Sequence, residues 1–443
     1  MKRYTNIFTF VKIKEFKVMT VTCALLLCAA LIAPLAMASM TSYTYNDRGQ
    51  IETIDGPRTD KDDITTYSYN TNGTRKSTIN ALGHVYQLQE RNGLGLPERI
   101  IDPNGVVSIL TYHPRGWLTT YTVVSPIEST ADDSVTKYSY GASGLLNKVV
   151  LPNQVTLHYQ YDAAQRLEKI WNDAGAEINY TLDDAGNPTR TDVRGENGDL
   201  TFTARQTFDE LSRVMDFIGS EGETTHIDYD TNSNPDIKTN PKNFRFDEDY
   251  DPLNRLERIT DPNNGITEFI YDSQNRITNV IDANNKTTTY EYDYLDNVIK
   301  VISQTTGVTD YVYDEASNLT RRTDAAGNVI EFEYDSLNRI EQMTYPSSSA
   351  ENTLYEYDAT LWCPDVGIIQ HCTNEKNYGV GRLTSAKNIN STTYYRYNYL
   401  GNLVEKVNIL SDIATIERPK LENSEINRQL EKIWRKVIQR HKR

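Results

Sequence analysis

The residues best placed to do chemistry are aspartates that recur at a fixed interval. Between Phe208 and Ile340 an aromatic residue followed by Asp returns every 21 residues. A row of carboxylates at constant spacing could bind cations or act as general acids and bases. The pattern is carried by six tyrosine and aspartate pairs: Tyr229 and Asp230, Tyr250 and Asp251, Tyr271 and Asp272, Tyr292 and Asp293, Tyr313 and Asp314, Tyr334 and Asp335.

The same aspartates also have a simpler interpretation as turn formers. An Asp side chain can accept a hydrogen bond from the backbone two residues ahead, and a Gly or Asn three residues later tolerates positive φ. An enzyme seldom needs one acid in every unit of a repeat. We therefore interpret the pairs as a structural repeat signature, and we predict no catalytic residue, no metal ligand and no cofactor. The sequence contains no Gly-x-Ser-x-Gly, His-Glu-x-x-His or phosphate-loop motif.

The aromatic residues indicate β-strands. They come in pairs two residues apart, as in Phe269 and Tyr271 or Tyr290 and Tyr292. Residues i and i+2 of a strand lie on one face, so each pair can form half of a cross-strand ladder. A single hairpin cannot bury such a ladder, so we expect neighbouring units to stabilise one another along a long sheet.

The repeats predict one extended domain over residues 39–409. The step lengthens from 21 to 28 between Tyr112 and Tyr140 and to 26 between Leu182 and Phe208. We interpret the extra residues as lengthened turns, where insertions are tolerated best.

Charge is unevenly distributed along the chain. Residues 1–18 carry a net charge of +4 and residues 417–443 carry +5, so the total of −15 leaves −24 on the middle. An array this acidic repels phosphate backbones, and we predict that the repeats do not bind nucleic acid.

The first 38 residues have the pattern of a secretory signal. A basic segment precedes the uncharged run 18–38, which ends in Ala36-Met37-Ala38. This predicts a signal peptide over residues 1–38, with export to the cell surface or beyond and a mature chain starting at Ser39. The alternative is an uncleaved anchor, because 21 uncharged residues could span a bilayer and associate the protein with a membrane.

Two cysteines remain once the signal segment is set aside. In an exported protein, Cys363 and Cys372 are expected to form a disulfide. A metal site that adds His371 is the alternative, but it lacks a fourth ligand nearby.

The pattern changes after Pro419. Ile426, Leu430, Ile433 and Val437 have helical spacing among basic residues, which predicts a basic amphipathic helical tail over residues 410–443. A divergent or truncated terminus is the alternative.

The motif Tyr-x-Tyr-Asp, then Asn-Arg or Gly-Arg, an aliphatic residue and Asp-x-x-Gly resembles the YD repeats of the RHS family over residues 43–403. The resemblance implies an all-β fold in which tandem hairpins form a long antiparallel ribbon that spirals into a hollow or partly open shell. In bacterial RHS and toxin-complex proteins such shells enclose a toxin, and in teneurins they form part of an adhesion receptor. The segment with which toxin-type shells cleave off their cargo has no counterpart after Leu403, so self-cleavage is assigned to no residue here.

The resemblance and the signal segment together favour a non-enzymatic, exported shell or cell-surface scaffold. Its expected partners are a protein cargo or a cell-surface protein or glycan. Two alternatives stay open: the N-terminal shell part of a polymorphic toxin that has lost its effector, and a glycan-binding adhesin.

Overall fold

The computed structural model describes most of the predicted repeat domain: residues 39–126, 132–362, 365–366, 369–370, 376–410 and 413–417. The predicted signal segment, Cys363, Cys372 and the helical pattern after Pro419 lie outside the described residues.

Short β-strands make up nearly all of the regular structure, and a 3-10 turn lies at Ser349–Glu351. The strands are β1 Ser42–Tyr45, β2 Ile51–Asp55, β3 Thr65–Tyr69, β4 Arg75–Ile79, β5 Val85–Leu88, β6 Arg99–Ile101, β7 Val107–Tyr112, β8 Leu118–Val123, β9 Ser134–Tyr140, β10 Leu146–Val150, β11 Thr156–Tyr161, β12 Leu167–Asn172, β13 Glu177–Leu182, β14 Pro188–Arg194, β15 Leu200–Phe208, β16 Val214–Ile218, β17 Thr224–Tyr229, β18 Pro235–Thr239, β19 Arg245–Tyr250, β20 Leu256–Thr260, β21 Ile266–Tyr271, β22 Ile277–Ile281, β23 Thr287–Tyr292, β24 Val298–Ser303, β25 Gly307–Tyr313, β26 Leu319–Thr323, β27 Val329–Tyr334, β28 Ile340–Thr344, β29 Thr353–Tyr357, β30 Asp365–Val366, β31 Ile369–Gln370, β32 Leu383–Lys387, β33 Ser391–Tyr397, β34 Leu403–Leu410 and β35 Ile413–Glu417.

Among the described residues, 33 of these strands form one antiparallel sheet. Each strand pairs with the next along the chain, and β29 pairs with β32 across the small β30–β31 hairpin. The prediction of an all-β ribbon of tandem hairpins is confirmed. The constant pairing of neighbours follows from turns too short to allow any other connection.

Every signature tyrosine lies at a β-bulge. Tyr271 pairs with Ile277 while Ile270 pairs with Asn279, so Thr278 is the extra residue on β22. The same shift follows Asp228, Asp249, Glu291, Val312 and Glu333. A bulge of this kind accompanies a turn whose last residue has positive φ. The bulges thus fix the register of successive hairpins.

The sheet continues past the predicted domain boundary at residue 409. Strand β34 runs to Leu410 and pairs with β35, where Leu410 faces Ile413 and Lys406 faces Glu417. The segment 413–417 lacks the tyrosine and aspartate signature by which we placed the boundary. Its β-branched residues favour a strand, and the edge of β34 offers them a partner. The first residues of the predicted helical tail are therefore strand.

Deep burial is confined to a few places in the ribbon. Val149, Leu151 and Leu157 form a core cluster with Tyr138 and Tyr159 packed against it. Most strands elsewhere contain only half-buried and exposed positions. Because apolar burial is modest, polar contacts between units do much to determine the fold.

Candidate functional site: the turn network and the seam

The turn after Tyr271 shows how one unit is built. The Asp272 N–H donates to Arg276 O at 2.9 Å, and the Asn275 N–H donates to Asp272 O at 3.2 Å. Asn275 has φ of 67°, which Asn tolerates better than most residues. Asp272 Oδ1 accepts hydrogen bonds from the backbone of Gln274 and Arg276 at 2.8 and 3.0 Å. The carboxylate therefore closes the loop from within.

All six sequence-predicted aspartates occupy this position. In each turn Oδ1 accepts from the N–H groups two and four residues ahead, at distances of 2.8 to 3.0 Å. Oδ2 accepts from the side chain four residues ahead, which is Arg255, Arg276 or Arg339 in three turns and Asn234, Asn297 or Asn318 in the others. Both carboxylate oxygens are thus engaged inside the turn.

In the turns of Asp230 and Asp272 these bonds favour the ionised aspartate. Hydrogen bonds from the backbone and guanidinium of Arg276 hold the pKa of Asp272 below its usual value. The pKa of Asp230 is lowered in the same way, mainly by the side-chain amide of Asn234. Among the described residues, no group of three or more His, Cys, Asp or Glu side chains is arranged to hold a metal ion.

The residue four positions after each aspartate also reaches the next unit. Arg276 Nη1 donates to Asp293 O at 3.1 Å and to Asp296 Oδ1 at 2.9 Å. Its guanidinium carbon lies 4.7 Å from the ring centre of Tyr292. Arg255 makes the equivalent contacts with Asp272 O, Asn275 Oδ1 and the Tyr271 ring. Each arginine joins two successive turns and stacks on the tyrosine between them.

Asparagine makes a shorter version of the same bridge. Asn318 Nδ2 donates to Asp314 Oδ2 and to Asn338 Oδ1, both at 2.8 Å. Asn234 and Asn297 bridge their turns in the same way. An asparagine carries no guanidinium, and among the described residues no Arg or Lys lies over the ring of Tyr250, Tyr313 or Tyr334, the tyrosines that follow these asparagines.

The predicted tyrosines link the units a second time. Tyr229, Tyr271, Tyr292 and Tyr334 each donate their hydroxyl to a carbonyl 15 residues earlier, at 2.7 to 2.9 Å. Tyr250 donates to Glu248 Oε2 at 2.9 Å instead, and burial together with this carboxylate raises its pKa. Tyr313 shows neither bond within the described residues. In these four units the tyrosine ring supplies apolar contact, and its hydroxyl bonds to the neighbouring hairpin.

A second set of contacts joins loops near the beginning of the ribbon to turns 267 to 277 residues later. The Arg58 side chain, only 2% exposed, comes from the loop between β2 and β3. Its Nη1 donates to Asp335 O and, at 3.4 Å, to Asn338 Oδ1. Its Nε lies 3.8 Å from Asp314 Oδ2. These are the two kinds of acceptor that Arg276 and Arg255 use within the ribbon. Arg58 therefore supplies, from a loop near the beginning of the ribbon, the guanidinium that Asn318 lacks.

Further contacts follow at nearly the same separation along the chain. Asn104 and Val380 exchange two hydrogen bonds, from Asn104 Nδ2 to Val380 O at 3.1 Å and from Val380 N to Asn104 Oδ1 at 2.9 Å. Lys376 Nζ donates to Asn104 O at 3.0 Å, and Tyr399 Oη donates to Asp132 O at 2.9 Å. We call this line of contacts, centred on Arg58 and Asn104, the seam. All of it lies within the unit Ala38–Arg443.

Sequence reasoning identified the aspartates and tyrosines but missed the bridging role of the arginines. The signal was present, since Arg stands four residues after Asp and 16 before the next Tyr at Arg255 and Arg276. Arg58 carried no such signal, because it lies outside the 21-residue register. The predicted Cys363 and Cys372 pair lies outside the described residues and stays a prediction.

The teneurin YD-shell family model matches residues 32–191 and 187–361 of this sequence. The chain belongs to the teneurin YD-shell family. The turn network is thus the three-dimensional form of its YD repeats. No curated protein matches the chain.

Two solved structures of toxin-complex proteins share the fold. The Photorhabdus luminescens Tc holotoxin pore with a TccC3 D651A mutation aligns at a TM-score of 0.61 and 14% identity, over 84% of this chain and 23% of that one. TcdB2-TccC3 without its hypervariable C-terminal region aligns at 0.62 and 14% identity, over 86% of this chain and 24% of that one. The YD-shell chain thus spans about a quarter of the length of these structures.

Within its described residues, no helix is long and apolar enough to cross a membrane.

Proposed function

We propose that this YD-shell chain is an exported, non-enzymatic protein that encloses a polypeptide cargo. The observation that carries the proposal is the seam, in which the first loops of the ribbon bind turns that lie between 267 and 277 residues later. A ribbon that returns to its own first loops can separate a guest from solvent and proteases, whereas a ribbon that never contacts itself cannot.

The polar network supports a scaffold role over a catalytic one. Both oxygens of the six signature carboxylates are used to close turns, as described above. Arg255 and Arg276 are each committed to a carboxylate, a carbonyl and an aromatic ring. Groups held in this way define geometry, whereas a catalytic acid or base must exchange protons with a substrate.

Protease protection tests enclosure. A short unstructured epitope tag would be fused after Arg443, and the protein would be treated with a nonspecific protease. We expect the tag to survive longer on the wild-type chain than on a matched Arg58→Ala and Asn104→Ala variant, in which the seam is weakened. Equal rates of tag loss from both proteins and from the free tag would contradict enclosure.

Export is tested separately. The full chain would be expressed in a bacterium with a Sec system, and the extracytoplasmic fraction would be analysed by N-terminal sequencing. A mature terminus at Ser39 is the expected result. A protein that retains Leu25-Leu26-Leu27 in the membrane fraction would instead identify the segment as an anchor.

A role as one part of a larger toxin complex is the second candidate. It is favoured by the relatives described as Tc toxin components and by the fact that the chain spans a quarter of their length. Under this hypothesis the cargo is supplied by another polypeptide. Size-exclusion chromatography coupled to light scattering on protein from the native host would then show a heteromeric complex and no free monomer.

A further inference from the structure

One cavity coincides with the place where the repeat breaks down. It has a volume of about 670 Å³ and lies between β12 and β17. Arg166, Leu167, Leu182, Pro188 and Phe208 line it. The step between the last two signature positions is 26 residues here, whereas the regular step is 21. The size falls in the usual range for ligand pockets.

The cavity exists because two successive signature tyrosines are replaced. Leu182 stands where other units have tyrosine, since it pairs with Pro188 across the bulge as Tyr271 pairs with Ile277. Phe208 stands in the next such position and pairs with Val214. Leucine is smaller than tyrosine, and neither replacement carries a hydroxyl. Compared with two regular units, this place therefore lacks the volume of one aromatic ring and two phenolic hydroxyl donors.

The groups that contact a tyrosine in other units are still in place. Arg166 keeps its bonds to Asp162 Oδ2 at 2.6 Å and to Asp183 O at 2.9 Å. Its side chain is 35% exposed, whereas Arg213, Arg255, Arg276 and Arg339, each stacked on a tyrosine, are 19 to 25% exposed. The guanidinium face that would cover a ring is thus open to the cavity.

Two carbonyl groups complete the arrangement. Leu167 and Pro188 each begin the return strand after a turn, as Leu256 and Ile277 do. In the regular units this carbonyl accepts the hydroxyl of the next tyrosine. Residues 182 and 208 cannot supply that donor. The Tyr180, Phe217 and Tyr229 side chains form aromatic walls around the same space.

We infer that this cavity binds a phenolic side chain, a tyrosine of a bound polypeptide. Its ring would stack under the Arg166 guanidinium as Tyr292 does under Arg276, and its hydroxyl would donate to the Leu167 or Pro188 carbonyl. A phenylalanine side chain would gain the stacking but not the hydrogen bond. We expect tyrosine to be preferred over phenylalanine by about tenfold, the usual worth of one such bond. The choice of a polypeptide as the source of the phenol rests on the function proposed above, but the phenol site itself does not.

The test compares small probes on the full-length chain. Binding of N-acetyl-L-tyrosinamide, N-acetyl-L-phenylalaninamide and p-cresol would be measured by saturation-transfer NMR titration. The first should bind about tenfold more tightly than the second. The Leu182→Tyr variant restores the repeat signature, so it should fill the cavity and abolish binding. Leu253→Tyr, the same change at an exposed turn, should bind as the wild type does.

Several results would overturn the inference. Equal binding of the tyrosine and phenylalanine probes, no binding of either, or full binding by Leu182→Tyr would each contradict a phenol site. If Leu182→Tyr does not fold, Arg166→Gln serves instead and should weaken the tyrosine probe severalfold, with unchanged binding contradicting the role of the guanidinium. If p-cresol binds as tightly as N-acetyl-L-tyrosinamide, the phenol site stands but its assignment to a polypeptide fails.

Discussion

Arg58 Nη1 donates a hydrogen bond to the carbonyl oxygen of Asp335, which lies 277 residues further along the chain. The contact reproduces, between a loop near the start of the ribbon and a distant turn, what Arg276 does between adjacent turns. It arises because Asn318 stands where an arginine would otherwise fill the same place. The same guanidinium-to-carbonyl hydrogen bond that links adjacent turns thus also links distant parts of the chain.

Removing Arg58 should destabilise the seam. The Arg58→Ala variant leaves the Asp335 carbonyl without this buried donor, and we expect a loss of about 2 kcal/mol in the free energy of unfolding. Urea denaturation followed by circular dichroism measures it. Arg205→Ala, at an exposed position on β15, is the matched control and should change stability by less than about 0.5 kcal/mol. An equal effect of both changes would argue against the seam.

An arginine at residue 318 should compensate for the loss of Arg58. The Asn318→Arg side chain would reach Asp335 O and Asn338 Oδ1 from within the ribbon, as Arg255 reaches its acceptors. In the presence of Arg58, the new arginine competes with it for the same acceptors. The effects of Asn318→Arg and Arg58→Ala on the free energy of unfolding should therefore not be additive. A double-mutant cycle should show a favourable coupling of about 1 kcal/mol or more. Additive effects would mean that the two guanidinium sites are independent.

Removing one tyrosine hydroxyl should have a small and local cost. Tyr271→Phe deletes the 2.7 Å bond to Leu256 O and should lower the free energy of unfolding by about 1 kcal/mol. Tyr311→Phe is the control, because the Tyr311 hydroxyl makes no hydrogen bond among the described residues. Its stability should match that of the wild type in the same urea titration. A similar loss in both variants would point to ring packing and not to the hydroxyl bond.

Acid should weaken the turns. The pKa of Asp272 and that of Asp230 are lowered in the folded state, so each aspartate contributes stability above its unfolded pKa of about 3.9. That contribution is lost as the pH falls through the lower folded pKa. Asp272→Asn should therefore be less stable than the wild type at pH 7, and the difference should shrink towards pH 2. Glu268→Gln, at a strand position, is the control. A difference that stays constant with pH would contradict the ionic contribution.

The strand order and turn positions could be predicted from the sequence because both are local. The spacing of Tyr271, Asp272 and Asn275 repeats with the period of one hairpin pair, and short turns force neighbouring strands to pair. Contacts such as Asn104 with Val380 could not be predicted, since they depend on how twist accumulates over many hairpins. The only sign of the cavity in the sequence is Leu182, which stands where other units of the repeat have tyrosine. The strand 413–417 was missed because the segment lacks the tyrosine and aspartate signature from which the other strands were predicted.

The return of the ribbon to its own first loops is tested most directly by a crosslink across the seam. Thr59 Oγ1 donates to Glu315 Oε1 at 3.2 Å across the seam, where Thr59 is exposed and Glu315 is half-buried. With the four native cysteines replaced by serine, Thr59→Cys and Glu315→Cys would be treated with a short thiol-specific crosslinker and mapped by mass spectrometry. We expect efficient crosslinking within one chain, and little for the control pair Thr59→Cys and Glu268→Cys. Equal, low yields from both pairs would contradict a ribbon that returns to its own beginning.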